Sequence, residues 1–278
     1  MKEDSMPELR KRGSNRNRQQ AMVRVAVLPL IIFVTSVLAT IPSATPIIIR
    51  HDVSDEDYVA LADSLDLSAA VVRFTRTDMA GTLIAQDWIL SAAHVAQEVS
   101  PGGSLLWGSG DSLRVERVVL HPLWLEEGFP HDIALIKLTT PVEGAVTIPL
   151  YLDSDEEGRL VTLIGNGDLG DGTTGPTGND GRFRAATNRI DNLSDSWLAW
   201  RFDGPNDPGT TPMEGISGPG DSAGPAFIQR DGRYFVAGVS SGQDTQATGG
   251  REGRYGVTEY YTRVSAYSDW IASVVASF

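Results

Sequence analysis

The chain has 278 residues, 41% of them apolar, which is enough to bury one large core or two modest ones. Of its 23 Lys and Arg and 36 Asp and Glu, seven basic and three acidic residues precede residue 40, so the remainder holds 16 basic against 33 acidic and a formal charge of −17. That charge argues against nucleic-acid and anionic-membrane partners, and the absence of cysteine excludes disulfides, thiolate metal sites and thiol catalysis.

In chain order, a basic stretch ending at Arg24 leads into the apolar run 25–39, the pattern of an export signal. Val37 and Ala39 are small residues suited to cleavage before Thr40, and Ala44 offers a second site. The competing reading is an uncleaved anchor over residues 25–41, short for a bilayer span and interrupted by Pro29. Residues 1–44 are therefore set apart as export signal, or N-terminal anchor, and pro-region. A secreted or periplasmic location is expected, with membrane contact only through this segment if it is retained.

Apolar spacing over residues 53–67 predicts a helix, and so does the face formed by Tyr267, Trp270, Ile271, Val274 and Val275 in residues 265–278. Between them, short runs of Val, Ile, Leu, Phe and Trp alternate with Gly, Pro, Asp and Asn, predicting strands near 70–74, 81–84, 112–120, 133–138, 160–165, 226–229 and 234–239. This many short strands and so few helices point to an all-β barrel or sandwich. Residues 166–220 are rich in Gly, Pro, Thr, Asn and Asp and read as a long structureless stretch, a feature more often functional than accidental.

Three segments carry chemistry. At 81–95 a strand, a turn and a second strand end in the small residues of SAAHV, placing His94 where an unperturbed imidazole can take a hydroxyl proton near neutrality. At 131–138, HDIALIKL sets Asp132 directly before an apolar strand, either as a strand cap or buried against the imidazole to fix its tautomer; His131 reads as a loop residue. At 220–225, GDSAGP surrounds Ser222 with small residues, which a nucleophile needs if the backbone is to turn sharply and amides are to converge on an oxyanion. Those amides are the ones of Gly220 and Ser222, although an ordinary Gly/Pro turn would have the same composition. The carboxylates of Asp153, Asp155, Glu156 and Glu157 invite a calcium reading, but their spacing fits no calcium loop and a solvated acidic loop accounts for them. No metal or cofactor is called for.

Read together, SAAHV, HDIALIKL and GDSAGP, in that order and 38 and 90 positions apart at their reactive residues, resemble the trypsin/chymotrypsin family of serine peptidases over residues 69–278. Gly165-Asn-Gly167, Ser240-Ser-Gly242 and Tyr261-Thr-Arg-Val264 are weaker supporting matches. The resemblance implies two packed antiparallel six-stranded Greek-key β-barrels with a C-terminal α-helix. Residues 45–148 would form the barrel carrying His94 and Asp132, and residues 149–278 the barrel carrying Ser222. It implies a serine endopeptidase acting on peptides or proteins through an acyl-enzyme, this member being cysteine-free; a monomer is expected, and an inactive binding module on this fold, or an esterase using the same triad, are the alternatives.

Family members commonly bridge the histidine loop with a disulfide, whose positions fall here on Met79 and Val95, so apolar contact is expected to replace it. Ser240, Ser241 and Gly242 correspond to the substrate-pairing strand. The base of the specificity pocket falls on Ile216, which carries no charge, so a small or apolar residue is expected before the scissile bond unless Glu214 reaches the pocket. Activation in the family creates a new N-terminus that pairs with the aspartate before the serine, here Asp221. Ile47, Ile48 and Ile49 are candidate termini, with Arg50 as a source of positive charge that needs no cleavage.

Overall fold

Short β-branched and aromatic runs broken by glycine and proline cannot propagate long helices, and in the computed structural model they form strands. The structure describes residues 47–76, 78–108 and 110–278. Strand β1 (Ile47–Ile49) precedes helix α1 (Asp55–Leu65). Then come β2 (Val71–Arg73), β3 (Met79–Ala85), β4 (Trp88–Ser91), the short helix α2 (Ala93–Ala96), β5 (Ser104–Trp107), β6 (Asp111–Leu120), the helical turn α3 (Trp124–Glu127) and β7 (Ala134–Leu138). Strands β2 to β7 close into an antiparallel barrel in the order β2-β3-β4-β7-β6-β5.

The second half begins with β8 (Leu160–Gly165), β9 (Leu169–Asp171), β10 (Gly175–Gly178), β11 (Arg184–Arg189), β12 (Asn192–Leu193), β13 (Trp197–Arg201) and β14 (Gly215–Ile216). It continues with β15 (Pro225–Arg230), β16 (Arg233–Asp244), β17 (Thr258–Arg263) and the terminal helix α4 (Ser268–Ser277). Its strands form a seven-stranded sheet, β11-β8-β15-β16-β17-β13-β12, and a four-stranded sheet, β10-β9-β1-β14.

The all-β expectation, in two halves with a terminal helix, holds, and its detail differs in the second half. There the strands make a seven-stranded sheet flanked by a four-stranded one in place of a closed six-stranded barrel. The expectation of a structureless stretch over 166–220 is overturned, because β9 to β14 lie within it. These strands are two to six residues long and several are rich in glycine and polar residues, so no period-two pattern marks them. Their partners are also remote: β9 pairs in parallel with β1, more than 100 positions earlier.

Strand β7 shows how the barrel meets the second half. Successive side chains point to opposite faces, so Ala134, Ile136 and Leu138 fill the barrel interior with Val72, Leu83, Ile89 and Leu105. Ile133 and Leu135 face the other way, into a core shared with Phe227, Val236 and Val239 of the second half and with Tyr267 and Ile271 at the C-terminus. Asp132, one residue before this alternation begins, is thereby carried to the seam between the halves. The first described strand and the C-terminal residue cross over it: β1 pairs with β14 and β9 of the second half, and the guanidinium of Arg117 in β6 lies 4.0 Å over the ring of Phe278.

The export or anchor segment, with its cleavage positions at Thr40 and Ala44, lies outside the described residues. No helix among the described residues is long and apolar enough to cross a membrane.

Candidate active site

His94 sits in α2, a single turn whose close approach to the barrel is possible because Ala92, Ala93 and Ala96 are small and fully buried. Its backbone N–H donates to Oδ1 of Asp132 at 2.8 Å and its Nδ1 meets Oδ2 at 2.7 Å. The aspartate therefore fixes both the backbone and the ring of the same residue. Asp132 is fully buried, and it gains a further donor in the hydroxyl of Ser241, which also bonds Oδ2. Its carbonyl accepts the Thr262 hydroxyl at 2.8 Å. A buried carboxylate without such donors would be strongly penalised. With Nδ1 committed to Asp132, the proton acceptor left on the imidazole is Nε2.

Ser222 lies between two cavities. One, of about 250 Å³, is shared with His94 and is walled by Phe74, Asp78, Met79, Glu98 and Gly220. The other, of about 140 Å³, is bounded by Ser217 to Pro219 and by Ser240 to Gln243, with Glu252 at its edge. Gly220 has φ +91°, a conformation disfavoured for side-chain-bearing residues, and its carbonyl accepts the Met79 N–H at 2.9 Å. Among the described residues, neither the Gly220 nor the Ser222 amide is donated to a protein acceptor. Ala223, at φ +66°, takes up the left-handed strain, and its amide is held by the Ser240 carbonyl at 3.0 Å.

Asp221 anchors this loop from below. Fully buried, it accepts the backbone N–H groups of Gly167 (2.7 Å) and Gly218 (2.9 Å) and those of Asn166 and Ile47. Burial still outweighs these donors and pushes its pKa up to about 6. Gly165 is required by proximity, since a Cβ there would stand 2.3 Å from Oδ1 of Asp221.

The structure separates the remaining candidates. Ser240, Ser241 and Gly242 lie on β16 beside Ser222. Ile216 is fully buried in the apolar cluster of Ile47, Ile48 and Trp200, paired with Ile48. Glu214 is also buried; it accepts the Thr211 amide and hydroxyl, both at 2.8 Å, and burial raises its pKa to about 7. His131 stacks on His121 at 5.2 Å and meets the Tyr267 hydroxyl at 3.0 Å. Met79 and Val95 belong to one apolar cluster. The acidic loop is split among arginines: Asp153 pairs with Arg230, Asp155 with Arg159 and Glu156 with Arg263.

Two functional features escaped the sequence. Ser241 is recognisable there only as part of a strand, because nothing local shows that its hydroxyl reaches Asp132, 109 positions away. Glu259 of β17 is a fully buried carboxylate behind the smaller cavity, accepting the Ser217 amide at 3.0 Å, the Ser217 hydroxyl and Trp200 Nε1 at 3.2 Å. Burial pushes its pKa up to about 7.

A family model described as Trypsin matches residues 66–271. Complement C1s subcomponent of Rattus norvegicus is 30% identical over 230 residues, covering 69% of this chain and 31% of that protein. Trypsin of Simulium vittatum is 34% identical over 68 residues, covering 22% and 28%. Chymotrypsin-like elastase family member 1 of Felis catus is 29% identical over 218 residues, covering 71% and 78%. The matched region thus spans about a third or less of the first two relatives. Among solved structures, neuropsin, a serine protease expressed in the limbic system of mouse brain, shares the fold with a TM-score of 0.56 at 19% identity, covering 75% of this chain and 95% of its own.

Proposed function

Since the chain belongs to the trypsin family of serine peptidases, we propose that it is a serine endopeptidase in which Ser222 attacks the peptide carbonyl, His94 takes its proton and Asp132 orients the imidazole. The observation that carries this reading is the double bond of Asp132 to the amide and ring of His94, in a residue that lines one cavity with Ser222. Asp132 holds Nδ1 protonated and stabilises the imidazolium as it forms. The amides of Gly220 and Ser222, which donate to no protein acceptor among the described residues, are the donors for the developing oxyanion. The imidazolium then protonates the leaving amine, and water attacking the acyl-enzyme repeats the steps in reverse.

The cavity bounded by Ser217, Ser240 and Gly242 takes the side chain before the scissile bond. Its volume of about 140 Å³ favours a small one. Glu259 offers that side chain no open oxygen, since Ser217 and Trp200 occupy both. The chain is proposed to be exported by residues 25–39 and to act on peptide or protein substrates. Activation follows from β1: the Ile47 N–H already donates to Asp221, and cleavage before Ile47 would put an ammonium there. Arg50 is engaged elsewhere, with Asp52 at 2.7 Å and the Thr211 carbonyl at 3.0 Å.

The test is covalent labelling by a fluorophosphonate together with peptide turnover. Ser222→Ala should abolish labelling and lower kcat by about three orders of magnitude or more while leaving substrate binding nearly intact. Turnover retained in Ser222→Ala would reject the assignment. Labelling accompanied by hydrolysis of esters but not peptides would indicate an esterase.

A further inference from the structure

The loop joining β2 to β3 has a cleft on each side. Phe74 and Asp78 face the cavity of His94 and Ser222. Arg73 and Arg76 face a different cavity, of about 480 Å³, walled by Leu106, Gly108 and Phe183. Two cations here are unusual for a chain of net charge −13, and among the described residues neither has a carboxylate within 4.0 Å. Arg50, Arg159, Arg182, Arg184, Arg201, Arg230 and Arg263 each do; other described arginines also lack one, but Arg73 and Arg76 line the same cavity. Arg73 is instead held by neutral groups. It donates to the carbonyls of Gly108 (2.8 Å) and Arg76 (3.5 Å), and its guanidinium lies 5.9 Å from the Phe183 ring centre. Its pKa is lowered by burial and by the neighbouring Arg76 charge. Two like charges converging on a partly enclosed cleft with no counter-ion among the described residues favour an anion, and guanidinium matches the planar fork of a carboxylate.

The position of Ser222 gives this cleft a direction. One of its cavities is flanked by β16 and the other by His94. The imidazole that receives the serine proton must deliver it to the departing amine, so the substrate downstream of the scissile bond leaves on the His94 side, along Phe74 and Asp78. The same loop presents Arg73 and Arg76 to the second cleft, so a substrate chain continuing past it would come to the arginines. Asp78 and Glu98 line the first stretch and would repel acidic residues placed directly after the bond.

We infer that the cleft of Arg73 and Arg76 is a substrate subsite for an acidic side chain downstream of the scissile bond, reached by a segment whose first residues are neutral or basic. The inference rests on the reading of Ser222 and His94 as the reacting pair.

The test uses peptides identical up to and just past the cleaved bond and differing further downstream in an Asp-Glu, Ala-Ala or Lys-Lys pair. The wild-type protein should cleave the acidic peptide with kcat/KM about five- to tenfold above the alanine peptide, the advantage shrinking with added salt. The Arg76 side chain is exposed, so Arg76→Gln and Arg76→Glu should fold, as checked by thermal melting. The first should erase the preference and the second should turn it toward the lysine peptide, with the alanine peptide unchanged. Equal rates across the three peptides, or a variant that slows all three by one factor, would overturn the inference. If protein beginning at Ile47 cleaves none of the peptides either, the peptidase reading has failed, and binding of the same fluorescein-labelled peptides to the wild-type protein reads the cleft directly. Tighter binding of the acidic peptide that is lost in Arg76→Glu supports the cleft, and equal affinities reject it.

Discussion

The hydroxyl of Ser241 donates to Oδ2 of Asp132, the same oxygen that engages Nδ1 of His94. One strand residue of the second half thus steadies the carboxylate that orients a histidine of the first, so that docking of the halves adds to what holds the imidazole.

Replacing Ser241 by Ala removes a hydrogen bond to a buried charge, an interaction worth about 1.5 kcal/mol, or roughly tenfold in rate. The expected result is a lower kcat with KM little changed, and partial recovery in Ser241→Thr, measured by steady-state hydrolysis. A variant with unaltered kcat and a raised KM would show that the hydroxyl only lines the cavity beside it.

Cleavage before Ile47 should change the state of Asp221. With a peptide N–H from Ile47 and three other amides, the carboxyl is raised to about 6; an ammonium beside it would lower that value and lock the Gly218 to Ser222 loop. Protein beginning at Ile47 should therefore show a higher kcat/KM than the full chain, and Asp221→Asn should remove the difference. Equal activity of the two forms would mean that the uncleaved amide already suffices.

Stability should fall as pH rises from about 5 to 8. Glu259 and Glu214 are both raised to about 7 by burial. In the pH range between the ordinary glutamate value and 7, the folded state holds protons that the unfolded state has released. The contribution of these groups is complete below about pH 4.5 and is lost as pH passes through 7. Repulsion within an acidic protein acts in the same direction, so the comparison that matters is with Glu259→Gln, which keeps the shape and cannot ionise. Its Tm should decline less steeply over this range than that of the wild type. Identical slopes would mean that Glu259 is not protonated in the folded protein.

Much of the fold was legible because β7, β8 and β15 to β16 carry unbroken or alternating apolar residues between turn-forming ones, and such patterns are local. The sequence was silent on β1, which belongs with the second half although it precedes the first. It also hid β9 to β14, whose pairing partners rather than their own residues make them strands.

At the site the division is the same. Residue types and their order along the chain determined the candidates His94, Asp132 and Ser222 and the small residues around them, because a reactive hydroxyl and its neighbours demand a local composition. Only the folded chain decided that Ser241 serves Asp132, that Gly165 makes room for Asp221, that Ile216 lies in the core and that Glu259 stands behind the pocket. Each of these is a contact between segments tens to more than a hundred residues apart, where close packing and burial, not local preference, set which atoms meet.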